Sequence, residues 1–114
     1  MITDLKYLQQ ITSNDRQIMK EMIELFLNQL DEVLKEMESL LINENWFELS
    51  RQAHKIKSSA IVIGVPQMAE EMKELEMLSK ESKETEKYPD YIARLHKMVE
   101  VSEKELRPFL DSGE

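Results

Sequence analysis

Apolar residues recur at helical intervals over most of this 114-residue chain. The longest such stretch runs from residue 15 to residue 42 without a Gly or Pro, and a helix of that length would extend roughly 40 Å. A helix this long needs other helices to cover it along its length. We predict a buried stripe of Ile18, Met22, Leu25, Leu30, Leu34, Met37 and Leu41, broadened by Met19, Ile23, Phe26, Leu27, Val33 and Leu40.

Helix start and stop signals divide the rest of the chain. Thr3 is a candidate cap for a short first helix, and Asn14 with Gln17 resembles a capping box for the long one. Asn45 is predicted to cap the next helix, with Glu48 in the capping-box position. The apolar positions of the first helix are Leu5, Leu8 and Ile11, and those of the helix after Asn45 are Trp46, Leu49, Ala53, Ile56, Ala60 and Ile63.

Two more helices complete the pattern. Gly64 fits a helix C-terminus and Pro66 the first turn of the next helix. Residues 79–87 are charged, which favours a solvated helix end and linker, and Tyr88 opens a last helix that ends near Pro108. Residues 111–114 are predicted to fray. The apolar positions are Val65, Met68, Met72, Leu75, Met77 and Leu78 in the fourth helix, and Tyr91, Ile92, Leu95, Met98, Val99 and Leu106 in the fifth.

Composition supports one all-α domain covering residues 1–114. Only two Gly and three Pro are present, too few for the many turns of a β sandwich or barrel. The formal net charge of −8 disfavours a general binder of nucleic acid or anionic membrane. Without cysteine there is no disulfide or thiolate zinc site. No apolar run approaches the ~18 residues of a membrane span, so a cytoplasmic protein is expected.

The residues best suited to carry out a reaction cluster around His54. Phe47, His54 and Ile61 are seven residues apart and therefore line up on one helical strip, which also carries Ser50 and Ser58. Between residues 46 and 69 the cations Arg51, Lys55 and Lys57 face Glu48 alone, a local excess of positive charge. A neutral imidazole beside an ammonium suits phosphoryl transfer, which depends on positioning and electrostatic stabilisation.

A plainer interpretation of the same residues exists. A single histidine on a helix is more often a surface residue, and apolar neighbours such as Phe47 and Ile61 are more often the flank of a core. His96, on the last helix, has no comparable cluster and is expected to be such a surface residue.

The stretch Ala53-His54-Lys55-Ile56-Lys57-Ser58-Ser59-Ala60 resembles the A-H-x-L-K-G-S-[AS] signature of histidine-containing phosphotransfer (HPt) domains. The likeness continues in Ile63-Gly64-Val65, in Leu75-Glu76 of the following helix and in Asn45-Trp46 before the histidine. Together with the helix order, the resemblance covers essentially the whole chain.

The resemblance implies an antiparallel four-helix bundle with a short additional N-terminal helix. His54 would be phosphorylated through Nε2, Lys57 would steady the phosphoryl oxygens, and Glu76 would orient the ring through Nδ1. Such a domain has no independent catalytic activity and binds no cofactor, because its partner, a receiver domain of a response regulator or hybrid kinase, supplies Mg²⁺ and an aspartate. A monomer that docks receivers through Phe47, Ser50, Ser58 and Ile61, and through the adjoining long helix, is expected.

One position departs from the family pattern. Ser58 stands where the family usually has Gly, whose bare surface lets the receiver approach. Serine is small, so the departure bears on the efficiency of transfer more than on identity.

Three other functions are alternatives to that of a phosphorelay HPt domain. A degenerate, non-catalytic helical interaction module would dock receivers without carrying phosphate, but the presence of both His54 and Lys57 argues against it. The phosphotransfer part of a chemotaxis or sensor kinase would continue into kinase domains, whereas this sequence ends at Glu114. A metal-dependent helical enzyme is disfavoured because the two histidines are far apart and no Glu-x-x-His pair occurs.

Overall fold

Five α-helices make up the fold in the computed structural model, which describes residues 1–111. Helix accounts for 83% of it and no strand occurs within residues 1–111, which confirms the all-α class. A single 3-10 turn, Thr85–Lys87, precedes the last helix. The helices are α1 (Lys6–Ile11), α2 (Arg16–Ile42), α3 (Trp46–Ile63), α4 (Pro66–Lys80) and α5 (Tyr88–Leu110).

The four longer helices form an antiparallel bundle, and the fold as a whole measures 45 × 21 × 21 Å along its principal axes. Each is joined to the next by a short connection, so the chain runs up, down, up and down. α3 packs between α2 and α4, and α5 closes the ring by packing on α4 and α2. α3 and α5 are therefore diagonally opposite, and α1 adds a short fifth element against α3.

The core lies along the axis of this bundle. Its α3, α4 and α5 members follow the predicted stripes, except that Met77 is exposed and that Trp46 and Leu78 are only partly buried. α2 differs from the prediction in its first half, because Ile18 and Leu25 lie on its outer face. The residues of α2 that are buried are Met19, Ile23, Phe26, Leu27, Leu30, Val33, Leu34, Met37 and Leu40.

Only one of the three predicted N-caps is confirmed. The Asn45 side chain accepts a hydrogen bond from the Glu48 N–H, as predicted. The predicted Asn14 cap of α2 is wrong, because the Asp15 carboxylate accepts from the Ile18 N–H at 3.1 Å. The predicted Thr3 cap is wrong as well, because α1 begins only at Lys6.

The turn between α3 and α4 sets their relative register. Gly64 ends α3 in the left-handed region, with φ of +104°, and Pro66 occupies the first turn of α4. The Gly64 carbonyl accepts the Asp4 N–H at 2.7 Å, so the N-terminal segment crosses directly over this turn. A side chain at position 64 would meet both a strained backbone and the Asp4 carbonyl.

The bundle is closed at its other end by aromatic and hydroxyl groups. The Tyr88 hydroxyl shares its proton between two carbonyls, that of Leu78 in the last turn of α4 at 2.8 Å and that of Lys83 in the α4–α5 connection at 2.6 Å. Its ring packs edge-on against Trp46. Ser79, predicted to be solvated, is buried inside α4 and donates to the Leu75 carbonyl.

α5 extends slightly further than predicted. The helix continues past Pro108 to Leu110, because Phe109 and Leu110 still pack against the core and compensate for the hydrogen bond that proline lacks. Of the predicted frayed tail, residues 112–114 lie outside the described residues.

We expect Gly64→Ala to lower the free energy of unfolding by about 2 kcal/mol or more, because the left-handed backbone and the overlap with the Asp4 carbonyl both oppose a Cβ. Gly64→Asn should also destabilise the fold: asparagine tolerates the left-handed backbone, but its Cβ still overlaps the Asp4 carbonyl. Urea unfolding measures both, with the exposed Ser58→Ala on α3 as control. Wild-type stability of Gly64→Ala would contradict this account of the turn.

Candidate functional site: a histidine held by a shared carboxylate

α3 presents His54 at the boundary between core and solvent. Ala53 and Ile56 on either side of it are fully buried against the bundle, which fixes the backbone. The His54 side chain remains 57% exposed. Its ring is thus carried on a rigid helix and is open to an incoming molecule.

The neighbouring helix supplies the ring's partner. The Glu76 carboxylate of α4 places Oε2 3.0 Å from His54 Nδ1. Its other oxygen, Oε1, lies 2.8 Å from Lys57 Nζ. One carboxylate therefore holds the histidine and the lysine together, across the interface between α3 and α4.

The charge of this carboxylate is secured by its neighbours. Partial burial opposes ionisation of Glu76, but hydrogen bonds and charge interactions with Lys57 and His54 outweigh it, so the Glu76 pKa lies below its ordinary value. The group is therefore an anion at neutral pH. An ionised carboxylate only accepts hydrogen bonds, so the ring nitrogen facing it must carry the proton.

This proton assignment determines the chemistry of the ring. With the proton on Nδ1, the lone pair of the neutral imidazole resides on Nε2, at the far side of the ring from Glu76. Nε2 is then a nucleophile. The positive charge that the ring acquires when Nε2 forms a bond would be balanced by Glu76.

A second contact joins the histidine helix to α2. The Ser59 hydroxyl donates to Gln29 Oε1 at 2.7 Å. Because α3 is tied in this way on one side and by the Glu76 pairs on the other, its exposed strip is held in a fixed orientation between α2 and α4.

Three of the four α3 residues of the predicted docking strip are exposed. Phe47, Ser58 and Ile61 are exposed beside His54 on α3. Ser50 is not, because its side chain is buried and its hydroxyl donates to the Phe47 carbonyl at 2.6 Å. A small polar side chain that satisfies itself on its own helix can be covered at little cost.

The sequence predicted that the docking surface extends onto the long helix, α2, but not which residues of α2 form it. A cleft of about 530 Å³ lies between α2 and α3, and Met22, Leu25, Ser58 and Val62 contribute to its lining. Leu25 is 69% exposed. The periodicity of α2 contained the signal, since its first half carries more apolar residues than one buried stripe requires.

The other cations of α3 and the second histidine lie outside the cluster that Glu76 forms with His54 and Lys57. Lys55 is exposed, and Arg51 pairs with Glu48 on its own helix at 3.3 Å. His96 is exposed on α5, diagonally across the bundle. Within residues 1–111, no three acidic or histidine side chains come together as metal ligands.

Comparison with known families identifies this arrangement. The model of the Hpt domain family matches residues 21–105. The chain belongs to the Hpt domain family. No curated protein and no solved structure matches it.

The match covers α3, α4 and most of α2 and α5. His54, Lys57 and Glu76 all fall inside it, and Hpt domains act in histidine phosphotransfer within phosphorelays. The first 20 residues, which include α1, lie outside the matched region. No helix described for this Hpt domain is long and apolar enough to cross a membrane.

We expect the Glu76 carboxylate to make the stability of this Hpt domain depend on pH. Since its pKa is lower in the folded state, its contribution is fully present above the ordinary value of 4.5 and is lost as the pH falls through the folded-state pKa. Urea unfolding of the wild type and of Glu76→Gln between roughly pH 3 and 7 should show their difference shrinking on the acid side. A difference that persists undiminished in acid would contradict the ionised cluster.

Proposed function

We propose that this Hpt domain carries a phosphoryl group on His54 Nε2 between the aspartates of receiver domains. The observation that supports this most is the contact between His54 Nδ1 and Glu76 Oε2, at 3.0 Å. It orients a nucleophilic nitrogen toward solvent on a helix that is otherwise firmly packed.

The transfer step balances without a proton donor or acceptor from this chain. The Nε2 lone pair attacks the phosphorus of a receiver's aspartyl phosphate while the bond from phosphorus to the aspartate oxygen breaks. The electron pair of that bond returns to the aspartate carboxylate. The ring keeps its Nδ1 proton, and the charge that develops on it is met by Glu76; the same step in reverse passes the group on.

Lys57 is proposed to stabilise the transferred group. Its ammonium has three N–H donors, of which the contact to Glu76 Oε1 uses one. The others are available to a phosphoryl oxygen on His54, one helical turn away. Mg²⁺ would come from the receiver, whose own carboxylates hold it, so that positioning and charge are all this domain contributes.

The proposed docking surface combines a strip and a cleft. Phe47 and Ile61, 60% and 54% exposed, flank His54 at two helical turns on either side along α3. The apolar cleft toward α2, with Leu25, continues the surface laterally. Apolar contacts near the histidine and charged groups such as Arg51 and Lys55 at the rim suit a transient interface.

We expect His54→Gln to abolish phosphorylation, because Gln has no nucleophilic ring nitrogen. The purified chain would be incubated with receiver domains charged by acetyl phosphate, and an acid-labile, base-stable phosphoryl group would be measured on it. His96→Gln is the matched control, since it removes the other histidine, on α5, and should accept phosphate like the wild type.

Helical circular dichroism of both variants should equal that of the wild type, because both side chains are exposed. Retention of phosphate by His54→Gln would disprove the assignment. Failure of the wild type with every receiver of its organism would favour a module that docks receivers without carrying phosphate.

A further inference from the structure

A second cleft reaches Lys57 on the side of α3 that faces α4. It has a volume of about 590 Å³ and lies between α1, α3 and the start of α4. From α3 it is lined by Lys57 and Ile61, and from α1 by Lys6 and Tyr7. Tyr7 is half exposed, whereas the next residue, Leu8, is fully buried and anchors α1 to the bundle.

The segment before α1 is held in place at two points. Glu105 of α5 accepts hydrogen bonds from the N–H groups of Ile2 and Thr3 and, at 2.6 Å, from the Thr3 hydroxyl. These bonds, with the Thr3 hydroxyl contributing most, lower the pKa of Glu105 and keep it ionised. Asp4 donates its N–H to the Gly64 carbonyl. The five residues before this short helix would ordinarily fray, so the anchoring gives α1 a defined position.

The size of a typical protein interface brings this cleft within reach of a partner bound at His54. A standard interface covers about 800 Å² per partner, which corresponds to a disc of roughly 16 Å radius. Ile61 is seven residues from His54 along α3, or about 10 Å. A receiver centred on His54 would therefore cover Lys57 and Ile61, which line the same cleft as Lys6 and Tyr7 of α1.

The charge of the cleft indicates which part of the receiver would enter it. The lining carries both signs of charge, with Lys6 and Lys73 beside Asp4 and Glu70, and with the Lys57 ammonium already paired with Glu76. An acidic group on the edge of a receiver, next to the carboxylates that hold its Mg²⁺, would pair with Lys6 on the α1 side of the cleft.

We propose that residues 2–11 form a receiver-selectivity wall, positioned by Glu105 and contacting the receiver through Lys6 and Tyr7. This inference rests on the proposed function of His54. The wall lies outside the region shared with the Hpt family model, residues 21–105, so it would distinguish this domain's partners from those that dock on the shared surface alone.

The test measures transfer to variants of the wall from the receiver that phosphorylates the wild type fastest. For Lys6→Glu and Tyr7→Ala we expect kcat/KM to fall about tenfold, mainly through KM, because charge complementarity or contact area is lost. Lys97→Glu is the matched charge control, exposed on α5 across the bundle, and should stay within about twofold. Phosphorylation by phosphoramidate, which needs no receiver, reports on His54 alone and should be equal in all four proteins.

Glu105→Gln tests the positioning role. Loosening the segment should raise KM for the receiver while leaving kcat and the phosphoramidate rate unchanged. Glu100→Gln, an exposed carboxylate on the same helix, should leave KM unchanged. A fall in thermal stability with an unchanged KM would make Glu105 merely structural and overturn its positioning role.

The outcomes separate this inference from the function it rests on. If the wild type accepts phosphate and the Lys6 and Tyr7 variants accept it with the same KM, the wall is overturned and the proposed function stands. If the wild type accepts none, both are overturned. Loss of self-association in these variants with unchanged transfer would assign the cleft to a second copy of the chain and also overturn the proposal.

Discussion

A single carboxylate organises the chemistry of this domain. Glu76 binds the histidine through one oxygen and the lysine through the other, at 3.0 and 2.8 Å. Without it the imidazole could rotate and exchange tautomers, and the Lys57 ammonium would sample many rotamers. With it, both side chains adopt one arrangement before any partner arrives, which is the condition under which electrostatic stabilisation costs no reorganisation during the transfer.

The fold brings this carboxylate to the histidine. His54 and Glu76 come from different helices and are 22 residues apart, so their contact depends on the register of α3 against α4. Gly64 sets that register with a left-handed turn that other residues resist, and α3 and α4 contribute fully buried residues such as Ile56 and Leu75 to one core. Packing in the core and chemistry at the surface are thus linked through one tight connection.

Local signals in the sequence predicted the helices and the α3–α4 turn well, because these depend on periodicity and on glycine. What the sequence could not resolve was orientation. The first half of α2 is apolar on two faces, and periodicity alone cannot tell that Ile18 and Leu25 point outward while Ile23 points inward. The prediction that Ser50 is exposed was wrong for a related reason, since a serine can be buried when its hydroxyl donates a hydrogen bond within its own helix. The anchoring of residues 2 and 3 by Glu105 links the two ends of the chain and leaves no local trace.

The central claim, that Nε2 of His54 is the phosphoryl acceptor because Glu76 occupies Nδ1, is tested most directly by nitrogen and phosphorus NMR. The protein would be labelled with ¹⁵N-histidine and phosphorylated by a receiver. The account predicts a direct phosphorus–nitrogen coupling at Nε2 of His54, with a proton retained on Nδ1. Coupling at Nδ1, or at either nitrogen of His96, would contradict it.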